Sequence, residues 1–241
     1  MLIDLHVQAP ADAEALEALL QAGVKAGLGG MCLVGAGTVP PVAQARTSPS
    51  AAGLALFFGV EFLCSRGRLV WLPRELSLLE SEEWRPFAGR DADGVKRMVT
   101  ELGGLLFAAH PYDRSQGPSF SDAVFQLDFI HAIEVANHGL FQVRNLMAYE
   151  AASRMKVATV GGSDSSDPAV IGRAATVFLS DVRTQAEVVD AVLRGDVWAV
   201  ELLDRLEKAP ERTTALRTGP ARRDAGSRGR GRRRGGRQRS A

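Results

Sequence analysis

The chain has 241 residues, 46% of them hydrophobic and 24% charged, with a formal net charge of +1, which is the composition of an ordinary soluble globular protein. The near-neutral total conceals a division, because residues 205–241 carry 13 Lys/Arg against 3 Asp/Glu, leaving residues 1–204 at −9 and the tail at +10. An acidic body is a poor general surface for nucleic acid, so polyanion contact by charge alone belongs to the tail. The longest uncharged stretch, Ala26 to Ala45, holds five glycines and the pair Pro40-Pro41, which argues against a membrane-spanning helix. Asp4 and His6 stand where a secretory leader needs an unbroken apolar core. Cys32 and Cys64 both lie in apolar runs and read as reduced, buried thiols. The expectation is a cytoplasmic protein with no membrane partner.

In chain order, a strand is expected over Leu2–Leu5, then a helix over 12–26 with Leu16, Leu19, Leu20 and Val24 on one face and Asp12 as its N-cap. Strands follow at Met31–Val34 and Leu54–Val60. A second helix covers 94–102, with Val95, Met98, Val99 and Leu102 on its apolar face and Gly103 as its stop. Further strands are expected at Leu105–Ala109, Ile130–Val135, Val157–Val160 and Ala174–Leu179. A helix over 184–194 opens with the capping box Thr184/Glu187, and a weaker strand lies at Val197–Val200. This alternation predicts an α/β fold with a mostly parallel sheet and helices outside it. Strands apolar at every position are buried on both faces, as in a closed barrel or an open doubly wound sheet. The domain ends near residue 204, and the Arg/Gly-rich segment 205–241 carries too little apolar surface to fold.

The polar residues are placed systematically. His6 ends the first expected strand, Glu61 the third and His110 the fourth, and Asp164 follows the sixth after a Gly-Gly-Ser turn. In barrels and open α/β sheets, sites are built at the carboxyl ends of strands. Two imidazoles and two carboxylates converging there need something cationic among them, which points to a metal-linked or phosphate-linked site.

The motifs that contain these residues resemble the PHP (polymerase and histidinol phosphatase) superfamily. Its series Asp-Leu-His-x-His, Thr-Asp-His-Asp, Gly-x-Glu, Ala-His-Pro and Gly-Ser-Asp-x-His is matched by Asp4-Leu5-His6-Val7-Gln8, Val34-Gly35-Ala36-Gly37-Thr38, Gly59-Val60-Glu61, Ala109-His110-Pro111 and Gly162-Ser163-Asp164-Ser165-Ser166. The resemblance spans about residues 1–200. It implies a distorted (β/α)7 barrel resembling TIM barrels, with metal-dependent phosphoesterase chemistry at the carboxyl end of the strands.

The departures from that pattern are specific. Gln8, Gly35, Ala36 and Ser166 replace expected ligands, and Arg68 occupies a position where the resemblance places a ligating His. The ligand set it implies shrinks to His6, Glu61, His110 and Asp164, with one site keeping His6, Glu61 and Asp164. One divalent ion at most is expected, of the Mn, Fe, Mg or Zn class, and the alternative is none. His110 is the candidate second-site ligand or general acid. Arg68 either points into the cluster, to neutralise Glu61 or grip a phosphate in place of a metal, or is a solvated residue on a hairpin. Arg114 and His138 are further candidates at the same mouth, and His131 reads as structural. The expected function is a phosphoesterase-like protein of reduced or absent hydrolase activity. The alternative is an inactive binding protein for a phosphorylated small molecule or a protein partner, with nucleic-acid contact through the basic tail.

Overall fold

A computed structural model describes residues 1–87, 91–115 and 117–202; the basic segment 205–241, and the lack of fold expected of it, lie outside the described residues. Nine strands form one sheet: β1 (Leu2–Gln8), β2 (Gly30–Ala36), β3 (Ala55–Cys64), β4 (Gly67–Leu72), β5 (Leu105–Ala109), β6 (Ala132–Asn137), β7 (Ala158–Gly162), β8 (Ala174–Phe178) and β9 (Val197–Glu201), in the order β7-β6-β5-β4-β3-β2-β1-β8-β9. Among the described residues six α-helices accompany them: α1 (Ala13–Lys25), α2 (Val42–Thr47), α3 (Ser77–Glu80), α4 (Ala92–Leu102), α5 (Gln142–Met155) and α6 (Gln185–Arg194).

Four of the eight ladders are parallel and four antiparallel. The expectation of mostly parallel pairing is corrected to that extent, because β4 and β8 run against the other seven strands. The sequence reading did not assign β4. It returns from β3 through the two-residue turn Ser65-Arg66, with Cys64 opposite Gly67.

The sheet curls into a nearly closed barrel. Its seam lies where β7 meets β1 and β8, with Gln8 N donating to Ser165 O (3.1 Å) and Asp164 N to His6 O (2.6 Å). The Thr176 hydroxyl accepts from Gly161 N at 2.8 Å and donates to Gly161 O at 3.0 Å. This close approach explains the glycine pair. A Cβ on Gly162 would stand 2.5 Å from His6 N, and one on Gly161 would stand 2.7 Å from Ala175 O.

Alternation along the strands separates two apolar layers. The inner cluster takes Ile3, Leu5, Phe57, Val70, Leu72, Phe107, Ala132 and Val160, together with Val188, Val189 and Val192 of α6. The outer cluster joins Leu16, Leu19 and Leu20 of α1 and Val95 and Met98 of α4 to Met31, Leu33, Leu106 and Ile133 on the outward strand faces. The strands are therefore covered on both sides, which is why their sequences read as continuous apolar runs. Extending the inward period from Phe57 through Gly59 reaches Glu61, from Leu72 through Val70 reaches Arg68, and from Ala132 reaches Glu134. The polar mouth thus continues the apolar column of the interior.

Candidate active site

His6 reaches the mouth because β1 breaks register between Asp4 and Val7. Ile3 and Leu5 belong to the inner cluster and Val7 to the outer one, so the irregularity turns His6 inward as well, edge-on to Phe107 with ring centroids 6.2 Å apart. Its ring lies parallel to that of His110, 6.1 Å between centroids. Glu61 projects from β3, His110 follows β5 and Asp164 follows β7.

All four expected side chains are brought together. His6 Nε2 lies 3.5 Å from Asp164 Oδ1 and 3.9 Å from Glu61 Oε1, and His110 Nε2 lies 3.3 Å from Asp164 Oδ2 and 3.9 Å from Glu61 Oε1. His110 and Asp164 both hold positive φ, 29° and 48°. Non-glycine residues adopt that conformation at a cost of order 1–3 kcal/mol, and such residues cluster at functional sites.

Two nitrogen-bearing side chains enter the same cluster. Gln8 Nε2 donates to Asp164 Oδ1 at 3.0 Å and lies 3.2 Å from His6 Nε2. Arg68 Nε lies 3.3 Å from Glu61 Oε1, with only 18% of its side chain exposed, so its reading as a solvated hairpin residue is corrected. By contrast, Arg114 is exposed and donates to Ser121 Oγ, and His138 is exposed on the turn after β6. His131 accepts from Leu106 N at 3.0 Å and is structural, as expected. At Gly35 any side chain would collide with the Thr38 carbonyl, so the turn after β2 has closed over that position.

The sequence reading passed over Glu134 and Asn137 on β6. Glu134, almost wholly buried, accepts from His6 Nδ1 (3.1 Å) through Oε1, and from His110 N (2.9 Å) and Asn137 Nδ2 (3.3 Å) through Oε2. Asn137 Nδ2 also reaches Asp164 Oδ2 at 3.3 Å. One strand thereby ties together the His6 side chain of β1, the His110 backbone at the end of β5 and the Asp164 side chain after β7. The available signal was a carboxylate inside the otherwise apolar run Ala132–Val135. Asp4 was passed over in the same way. It is fully buried and accepts from His6 N, Ser163 N and Gly172 N, latching the Asp164 loop onto β1.

Electrostatics follow from this crowding. Burial opposes a charge on His6, but Asp164, Glu134 and Glu61 more than reverse that effect and raise its pKa to about 10. Burial likewise opposes the Asp164 carboxylate, yet His6, His110, Gln8 and Asn137 hold it below the usual range. Burial pushes Asp4 up to about 6 against the pull of its three backbone donors. The buried carboxylates thus demand positive charge at the centre, met by Arg68 and by a proton or an ion beside His6.

The donor set bears on metal binding directly. Glu61 Oε1 and His110 Nε2 are buried and lack a hydrogen-bond partner, and with Asp164 they offer the oxygen and imidazole donors that a divalent ion takes. Glu134 on His6 Nδ1 stands where an outer carboxylate would orient that imidazole toward an ion. Among the described residues, no group of three or more His, Cys, Asp or Glu stands ready to hold an ion, so loading would require side-chain movement. Gln8 and Arg68 fill the remaining edges of the cluster. A cavity of about 680 Å³ lies elsewhere, beside Leu54, Arg74 and Thr184, and none of the cluster residues lines it.

The sequence pattern of a family described as PHP-associated matches residues 143–197. No curated protein sequence matches the chain. Among solved structures, PsfC from Pseudomonas syringae PB-5123 is similar with a TM-score of 0.63 at 17% identity, over 83% of this chain and 91% of that one. A Bifidobacterium adolescentis protein named as a metal-dependent phosphoesterase gives 0.55 at 15% identity, over 84% and 98%. An amidohydrolase from Chromobacterium violaceum, solved with bound sulfate and no metal, gives 0.54 at 17%, over 84% and 98%. At such identities the structural likeness is one of fold. The chain thus shares the fold of these proteins, and its segment from α5 to the start of β9 is similar to the PHP-associated family.

Proposed function

We propose that this is a phosphoester-directed PHP protein whose centre takes at most one divalent ion and whose hydrolase activity is reduced or absent. The observation that carries the reading is the composition of the mouth: four potential ligands converge there, while Gln8 Nε2 and Arg68 Nε occupy contacts on Asp164 and Glu61. A bound ion would supply Lewis-acid polarisation of a phosphoryl oxygen. His6, Glu61, His110 and Asp164 would hold it, with the His6 ring oriented by Glu134. Arg68 would pair with a phosphoryl oxygen, and His110 would give a proton to the leaving oxygen where it is not itself a ligand. An arrangement that clamps both attacking and leaving oxygens between ions lacks the ligands it needs.

The similar Chromobacterium violaceum structure, which holds sulfate without metal, favours a second reading, in which the mouth binds a phosphorylated small molecule without turnover. Metal content of protein purified without chelators, together with hydrolysis of p-nitrophenyl phosphate in added Mn²⁺, tests the proposal. At most one ion per chain is expected, removed by Asp164→Ala, with little or no turnover. Two or three tightly held ions, or brisk hydrolysis, would overturn it.

No helix of the described residues is long and apolar enough to cross a membrane. We keep the cytoplasmic placement as part of the proposal. Nucleic-acid contact is assigned to residues 205–241 by charge. Gel-shift affinity should fall steeply with salt and vanish in a chain ending at Asp204; equal binding by both chains would refute the assignment.

A further inference from the structure

The outer face of α5 is apolar where a surface helix is ordinarily polar. Val143 is 60% exposed, Leu146 60%, Met147 46% and Tyr149 58%, and Phe141 just before the helix is 75% exposed. The buried face of the helix is made of Asn145, Ala148, Ala151 and Ala152, so the amphipathic polarity of α5 is inverted. Residues 143, 146, 147, 150 and 154 share one stripe by helical spacing. Its first two turns are apolar, and its last carries the exposed Glu150–Arg154 pair.

We propose that this face pairs with the α5 of a second copy, antiparallel and about a two-fold axis passing beside Leu146 and Met147. Two observations select a second copy as the occupant. The first is area: the five side chains expose about 500 Å² of largely apolar surface, given roughly 150–250 Å² for a whole aromatic side chain and less for an aliphatic one. That is the size of a functional patch. With a rim of Gln142, Glu150 and Arg154 it approaches the roughly 800 Å² per partner of a standard interface.

The second is charge. The α5 amino terminus has no side-chain cap at Phe141 and no acidic residue in its first turn, so its positive end lacks the usual complement. Antiparallel pairing centred between 146 and 147 sets position 150 of one copy against position 143 of the other. Each Glu150 then faces its partner's uncapped first turn, and four Leu146/Met147 side chains form the centre. An apolar centre with a charged rim is the ordinary anatomy of an isologous contact.

Sedimentation velocity of the full chain from 1 to 100 µM tests the pairing. We expect a species of twice the chain mass whose dissociation constant weakens at least about 100-fold in the double variant Leu146→Glu/Met147→Glu. A circular-dichroism melt confirms that these exposed changes leave the fold intact. As a second readout, Leu146→Cys should cross-link to itself on mild oxidation, whereas Leu179→Cys, 67% exposed on the β8–α6 connection, should not; the native Cys32 and Cys64 are buried and silent. A chain that stays monomeric at 100 µM overturns the proposal. So does a dimer unaffected by the double substitution, or cross-linking at 146 no better than at 179.

Discussion

Glu134→Gln is the most informative single change at the mouth. Each carboxylate oxygen of Glu134 accepts, Oε1 from His6 Nδ1 and Oε2 from His110 N and Asn137 Nδ2. A glutamine has one acceptor end. Whichever way its amide turns, an NH₂ group faces a donor on His6 or on His110, and one buried N–H loses its partner. Hydrogen bonds to a charged group contribute about 1.5–3 kcal/mol each, and an orphaned buried donor costs about 1–3 kcal/mol. Relief from burying the Glu134 charge offsets part of this, leaving a net loss of about 2–4 kcal/mol. At about 2–4 °C per kcal/mol for a chain of this length, the melting temperature should fall by about 4–16 °C. Because Glu134 is among the carboxylates that raise the His6 pKa, the imidazole should also titrate at lower pH in the variant, as followed by NMR. Metal affinity, where an ion is bound, should weaken about 10–100-fold through loss of the outer carboxylate. A melting temperature within 1 °C of the parent and an unchanged His6 titration would refute the view that Glu134 ties the site together.

Two further outcomes follow from the seam and the Asp164 loop. Gly162→Ala places a methyl group 2.5 Å from His6 N, against backbone that cannot rotate away, and should cost about 1–3 kcal/mol by overpacking; an unchanged melting temperature would mean that the seam is looser than described. Asp4 has a folded pKa of about 6, above its ordinary 3.8, so its contribution is fully present below pH 3.8 and is lost as pH rises through 6. The stability difference between the parent and Asp4→Asn should therefore shrink by about 3 kcal/mol from pH 3.5 to pH 7, and a pH-independent difference in denaturant melts would contradict this.

Legibility in the sequence followed burial. Strands lining the barrel are covered on both faces and read as apolar runs, so β5, β6 and β8 were found within a residue or two of their bounds. β4 escaped because its inward position 68 is an arginine, which breaks a run that is otherwise apolar from Leu69 to Leu72. α5 escaped because its buried face is alanine and asparagine while its large apolar residues point to solvent. Periodicity reports which residues are apolar, and on α5 that is the wrong face.

The candidate site divides along similar lines. His6, Glu61, His110 and Asp164 stand at strand ends beside turns, where a lone polar residue is conspicuous. Glu134, Asn137 and Asp4 lie inside strands whose neighbours are apolar. Their importance comes from partners on other strands and loops, more than a hundred residues away for Asp4 and Ser163 or His6 and Glu134 and 27 away for Asn137 and Asp164.

The energetics of the mouth argue that it serves more than the barrel's stability. Glu61, Asp164 and Glu134 are crowded around His6, which a fold tolerates only when cations or donors answer them. Here Arg68, Gln8 and Asn137 do so from within the chain. That internal compensation would suffice for a purely structural cluster, yet two features remain outside it. His110 and Asp164 keep left-handed backbone, at order 1–3 kcal/mol each, and Glu61 Oε1 and His110 Nε2 make no well-directed hydrogen bond, although Arg68 Nε and Asp164 Oδ2 stand 3.3 Å from them. Strain and unsatisfied polar atoms both act against folding, and relaxed turns or apolar substitutes would remove them at no cost to the barrel. Their persistence at one carboxyl-end mouth is the expected signature of groups held ready for a ligand, and a single ion or one phosphoryl group matches the donors that are left.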